Sequence, residues 1–71
     1  MGQDDKALEQ YRRAIALAPN DPSAYLNLGY FHSERENEAE AKSNWLKVLE
    51  VAPRSAEANE AKQNLEHLGE V

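Results

Sequence analysis

Residues 41–53 read AKSNWLKVLEVAP and residues 7–19 read ALEQYRRAIALAP. Ala7, Tyr11, Ala14, Ile15, Leu17, Ala18 and Pro19 thus return 34 positions later as Ala41, Trp45, Val48, Leu49, Val51, Ala52 and Pro53. A period of that length fits a pair of helices. One pair cannot enclose its own apolar face, so such units stack into arrays whose product is a binding surface and, as a rule, no catalytic pocket. The first expectation is therefore about partners and not about chemistry.

Outward from this echo, apolar residues keep helical and not strand spacing, and punctuation divides the chain into four segments. The first is predicted to run from Asp4 to Ala18, with Ala7, Leu8, Tyr11, Ala14, Ile15 and Leu17 on a broad apolar face, and with Asp4 and Asp5 at its dipole-positive start. Pro19 ends it. Asp21 is expected to cap the second helix and Pro22 to occupy its first position, where no amide hydrogen is needed. That helix carries Ala24, Tyr25, Leu28, Phe31 and His32 inward and stops near Arg35. Asn37 and Glu40 have the spacing of a capping box at the start of the third helix. Its inward set is Ala41, Trp45, Val48, Leu49 and Val51, and Pro53 closes it. Ser55 is expected to cap a fourth helix with Ala58, Ala61, Leu65 and Leu68 in one stripe and Gly69 as terminator. Short loops between these helices make neighbours antiparallel.

Taken together, Tyr25-Leu26-Asn27-Leu28-Gly29, Ala41, Trp45, Val48 and Pro53 resemble the tetratricopeptide repeat, a 34-residue helix pair with co-spaced aromatic, Leu-Gly, Ala, aromatic, small and Pro positions. The resemblance implies an all-α fold of antiparallel helix-turn-helix repeats stacked as a short right-handed α-solenoid of four helices. It implies one domain over residues 1–71: the second helix of a partial repeat at 2–20, one full repeat at 21–54 and a capping helix at 55–69. Gly2 falls at the family's turn glycine. Four positions depart from the pattern: Glu36 stands at a frequent turn glycine, His32 replaces an aromatic, and Lys62 and Gln63 take the Leu and Gly places in the last helix. That helix reads as a polar cap. Close approach of the paired helices is assigned to Gly29 and Ala41, with Tyr25 and Trp45 filling the gaps beside them.

Seventy-one residues allow one small core without staples, since there is no cysteine. The net charge of −5 is concentrated after residue 33, where nine acidic and five basic side chains lie. Such a field repels phosphate backbones, which argues against nucleic acid as a partner. The longest apolar stretch is far short of the roughly 20 residues that span a bilayer, and no signal peptide is legible at the start, so no membrane insertion is expected and the compartment stays open. Gly2 lacks the Ser or Thr that myristoylation wants, because Lys6 stands there.

Catalytic and metal chemistry find no footing. His32 and His67 stand alone in their helices without metal-ligand spacing, the serines lack an adjacent base and acid, and Glu36, Glu38 and Glu40 sit at a helix start where negative charge is favoured. No enzyme activity and no cofactor are expected. What remains is recognition. By resemblance, the first helices of successive pairs line a concave groove formed here by Ser23, Leu26, Asn27, Tyr30, Ser33 and Glu34, flanked by Glu57, Glu60, Ala61, Asn64 and His67. Leu26 and Tyr30 are read as exposed anchors. Members of the family that grip a C-terminal carboxylate use lysine, asparagine and arginine. Here Asn27 matches one such place, but Leu26, Tyr30, Glu57 and Ala61 supply no basic clamp. The acidic rim instead points to a protein or peptide partner that is basic or amphipathic.

The first segment lacks its partner helix, leaving Ala7, Tyr11, Ala14 and Ile15 as a candidate self-association face. Two readings follow: an interaction module cut from a larger repeat protein, or a structural module that forms a homodimer or higher oligomer through that helix.

Overall fold

The computed structural model describes residues 2–68. Four helices follow one another: α1 (Gly2–Leu17), α2 (Pro22–Glu34), α3 (Glu38–Val51) and α4 (Ala56–His67). α1 reaches two residues further forward than its acidic first turn suggested, so Gly2 opens the helix and does not form a turn before it. α2 packs on α3 and α3 on α4, while α1 and α4 both touch α2. The described residues thus form a helical repeat solenoid.

Local chemistry sets most of the boundaries. Asp21 accepts a hydrogen bond from the Ser23 amide at 3.0 Å, and Pro22 follows at the first helical position. Ser55 Oγ accepts from the Ala58 amide at 3.0 Å and donates to the Ala52 carbonyl at 2.7 Å, so one hydroxyl joins the end of α3 to the start of α4. The Tyr25 hydroxyl donates to the Pro19 carbonyl at 2.9 Å and ties down the turn between α1 and α2. The expected terminator Gly69 lies outside the described residues.

The turn between α2 and α3 departs from the expected capping box. Glu36 takes a positive φ of 61°, its amide donates to the Ser33 carbonyl at 3.1 Å, and the Asn37 amide donates to the His32 carbonyl at 2.9 Å. These two bonds make a Schellman ending for α2, with a glutamate where glycine would be unstrained. The Asn37 amide is therefore already engaged and cannot serve Glu40, whose Oε2 lies 3.4 Å from His32 Nε2. Asn37 makes no side-chain cap bond either. His32 is buried as expected, and its Nδ1 has no hydrogen-bond partner.

At the centre of the core, Ala41, Val48, Ala58 and Ala61 are fully buried and Trp45 is 3% exposed, surrounded by Tyr25, Leu26 and Leu65. A β-carbon on Gly29 would come within 2.7 Å of three atoms of the Trp45 indole. The indole N–H donates to the Leu26 carbonyl at 3.3 Å. Trp45 thus fills the space that Gly29 leaves and satisfies its polar edge on the same helix.

A second anchor joins α1 to the end of α2. Arg35 donates from Nη2 and Nε to the two carboxylate oxygens of Asp4 at 2.7 and 3.0 Å, from Nη1 to the Phe31 carbonyl at 3.0 Å, and lies 3.7 Å above the Phe31 ring. Tyr11 meets the same ring edge-on at 5.9 Å. Neither end of this anchor was marked by the repeat pattern.

Candidate interaction face

The face shared by α2 and α4 is built from residues that repeat at the same 34-residue spacing as the core. Ser23 Oγ donates to Glu57 Oε2 at 3.3 Å, and Asn64 Nδ2 donates to the Tyr30 hydroxyl at 2.9 Å, each across 34 positions. The Tyr30 hydroxyl in turn donates to Glu60 Oε2, and its ring stands edge-on to Trp45 at 5.6 Å. Equivalent positions of two stacked helices face each other, so side chains at one register must be complementary or repel. Here they pair.

This pairing shapes the electrostatics. Partial burial, and after it the hydrogen bond to the Glu60 carboxylate, push the Tyr30 phenol above its ordinary value, with Asn64 opposing them. Tyr30 therefore stays a neutral donor and holds Glu60 in place. Glu34 is exposed and lies 3.8 Å from Arg35 Nη1. The face carries three carboxylates, from Glu34, Glu57 and Glu60, beside the exposed imidazole of His67.

Two of the expected groove residues lie beneath it. Leu26 is 7% exposed and belongs to the core around Trp45, so it is not a surface anchor. Ala61 is fully buried opposite it in the same cluster. The reason is that α2 has neighbours on three sides, α1, α3 and α4, and the side on which Leu26 lies is covered by the last of the core. Tyr30, Ser33 and Asn64 are half-buried, and Asn27, Glu34, Glu60 and His67 are exposed. Among the described residues Asn27, Ser33 and His67 make no cross-helix hydrogen bond, and no pocket opens. No described cluster of His, Cys, Asp and Glu has the geometry to hold a metal ion. The described helices are also too short or too polar to cross a membrane.

The candidate self-association face divides in two. Tyr11 and Ile15 are half-buried, Tyr11 against Phe31 and Ile15 against the main core. Ala7 is half-buried, whereas Ala14 is exposed and Leu17, placed on the inward face by its spacing, is 87% exposed.

Comparison with known proteins agrees with this architecture. A family described as TPR repeat matches residues 1–35, and a family described as tetratricopeptide repeat matches residues 22–55. Curated relatives include the protein adenylyltransferase Fic of Drosophila yakuba, 39% identical over 59 residues, and that of Drosophila ananassae, 37% identical over 59 residues. In both the match takes in 80% of this chain and 12% of the relative's length. The likeness concerns the repeat region of those proteins. No solved structure matches the chain.

Proposed function

Since the chain belongs to the tetratricopeptide repeat family, a non-catalytic type of repeat that mediates protein–protein interaction, we propose that it binds a basic or amphipathic peptide or helical segment across the face shared by α2 and α4. The observation that carries this reading is the Tyr30, Glu60 and Asn64 set. It holds a carboxylate in a defined place on an exposed surface, next to the unengaged amide of Asn27 and imidazole of His67. A prearranged acceptor costs little to organise when a lysine or arginine arrives. With Leu26 buried, recognition rests on polar contacts and on the Tyr30 ring, so charge pattern counts for more than an apolar anchor.

The test is a titration with a lysine-rich amphipathic helical peptide and its glutamate-rich counterpart, followed through Trp45 fluorescence. The basic peptide is expected to bind and the acidic one not to. Combining Glu57→Gln with Glu60→Gln should weaken the basic peptide about tenfold, and affinity should fall as salt rises. Equal binding of both peptides, or an affinity untouched by the double substitution, would overturn the assignment. The adenylyltransferase activity in the relatives' names is a property of those proteins, and nothing in this face calls for it.

A further inference from the structure

Two carboxylates that α4 turns toward α2 each have one oxygen already engaged. Glu57 receives the Ser23 hydroxyl on Oε2 at 3.3 Å, and Glu60 receives the Tyr30 hydroxyl, also on Oε2. Among the described residues no side chain donates to Oε1 of either one. The two residues lie three positions apart on α4, so the open oxygens belong to neighbouring turns of one helix edge.

The Tyr30 hydroxyl is held where it is. A carboxylate only accepts, so the single phenolic hydrogen goes to Glu60, and Asn64 must offer its amine to the same hydroxyl, as it does from Nδ2 at 2.9 Å. The ring below stands edge-on to Trp45 at 5.6 Å, and Trp45 is 3% exposed, which braces the phenol on the core. This chain of donors also orients the Asn64 amide. Its Oδ1 is left without a donor among the described residues, four positions beyond Glu60 on the same helix.

Such an arrangement treats the two basic side chains differently. A guanidinium pairs best with a carboxylate through two parallel bonds, one to each oxygen, and on both Glu57 and Glu60 a hydroxyl of α2 takes one of those places. An ammonium is a point charge with three diverging hydrogens, which suits single oxygens from separate residues, such as Oε1 of Glu60 with Oδ1 of Asn64, or Oε1 of Glu57 alone. On the reading that this face receives a basic segment, we propose that Tyr30 and Ser23 set its specificity: by occupying one oxygen of each carboxylate, they make the face select lysine over arginine. Carboxylates with both oxygens open favour arginine, so the preference runs against the default.

The probe is an amphipathic helical peptide with lysines along one face, compared with the same peptide carrying arginine at each of those positions, at equal charge and equal salt. Both are titrated by calorimetry against the whole chain and against its Tyr30→Phe and Ser23→Ala variants, with thermal midpoints recorded alongside. The parent chain is expected to bind the lysine peptide about fivefold tighter than the arginine peptide. Tyr30→Phe keeps the ring beside Trp45 and frees Oε2 of Glu60, so it should erase or reverse that preference, chiefly by tightening the arginine peptide. Ser23→Ala frees Oε2 of Glu57 and should shift the preference the same way to a smaller extent, which keeps the test open if Tyr30→Phe lowers the midpoint. Equal affinity for the two peptides, or tighter binding of arginine by the parent chain, overturns the proposal and leaves a basic-segment face standing. A preference that persists in both variants, or a loss of both peptides by one common factor, also overturns it, because the hydroxyls then play a structural part only. If neither peptide binds, the face itself falls and this inference with it.

Discussion

Gly29 and Trp45 share one volume: the indole lies where a side chain on residue 29 would be. The junction between α2 and α3 depends on this exchange, and two substitutions attack it from opposite sides. Trp45→Ala leaves a cavity that cannot collapse around the small residues Ala41 and Ala61, and should cost about 3 to 5 kcal/mol. Gly29→Ala overfills the same space and should cost about 1 to 3 kcal/mol. In a domain of this size the first change is enough to abolish a cooperative melt and the second to lower its midpoint by several degrees. An unchanged midpoint for both variants would refute the packing.

Glu36 pays for its left-handed conformation without any hydrogen bond or ion pair from its side chain among the described residues. Glu36→Gly should stabilise the fold by about 1 kcal/mol, since relief of the strained φ exceeds the added freedom of the unfolded chain. Chemical denaturation of the two proteins side by side measures the difference. A destabilised glycine variant would mean that the turn does not hold this geometry in solution.

Asp4 and Arg35 make the attachment of α1 sensitive to acid. The hydrogen bonds from Arg35 hold the Asp4 carboxyl below its ordinary value of 3.8, with partial desolvation opposing them. A carboxylate depressed in the folded state adds stability above its unfolded value, and that contribution disappears as pH falls through the folded one. Amide exchange in α1 is therefore expected to accelerate as pH drops below about 4, relative to exchange in α3 and after correction for intrinsic rates. Asp4→Asn should exchange faster than the parent at neutral pH and show less of this acid response. Protection in α1 that is identical in the two proteins would remove Asp4 from the anchor.

Tyr30 makes the opposite prediction at the alkaline end. Its phenol lies above the usual 10.0 because it is partly buried and because it donates a hydrogen bond to the Glu60 carboxylate. A phenol raised in the folded state contributes stability fully below its unfolded value and loses it as pH rises through the folded one. Ultraviolet titration should show a late-ionising component that Tyr30→Phe removes, and Glu60→Gln should lower its midpoint. If Glu60→Gln leaves the titration unchanged, the hydrogen bond does not govern that group.

Much of this architecture is local, and it was legible in the residues for that reason. Asp21 with Pro22, and Ser55 ahead of Ala58, satisfy helix-end amides within one turn, and both caps form as their spacing predicts. The four helices follow from helical spacing and a period written twice in the chain, and the pairing of Gly29 with Trp45 from the resemblance to the repeat. The candidate face was legible in part. Tyr30, Glu60 and Asn64 do converge, but Leu26 and Ala61 lie under the surface they were expected to line. A helix packed on one neighbour announces its buried stripe, whereas α2 is packed on three and buries residues on most of its circumference.

By itself, then, the sequence determined the helices, the caps at Asp21 and Ser55, the antiparallel order and the repeat family, all of which depend on side chains a few residues apart or on one exact period. Tertiary structure decided the rest. It drew Arg35 to Asp4 across 31 positions and chose which faces of α1 and α2 remain open. Those outcomes join partners that only folding brings together, and no local spacing or single period records them; the lost capping box at Asn37, by contrast, is a local competition, won by the His32 carbonyl five positions back.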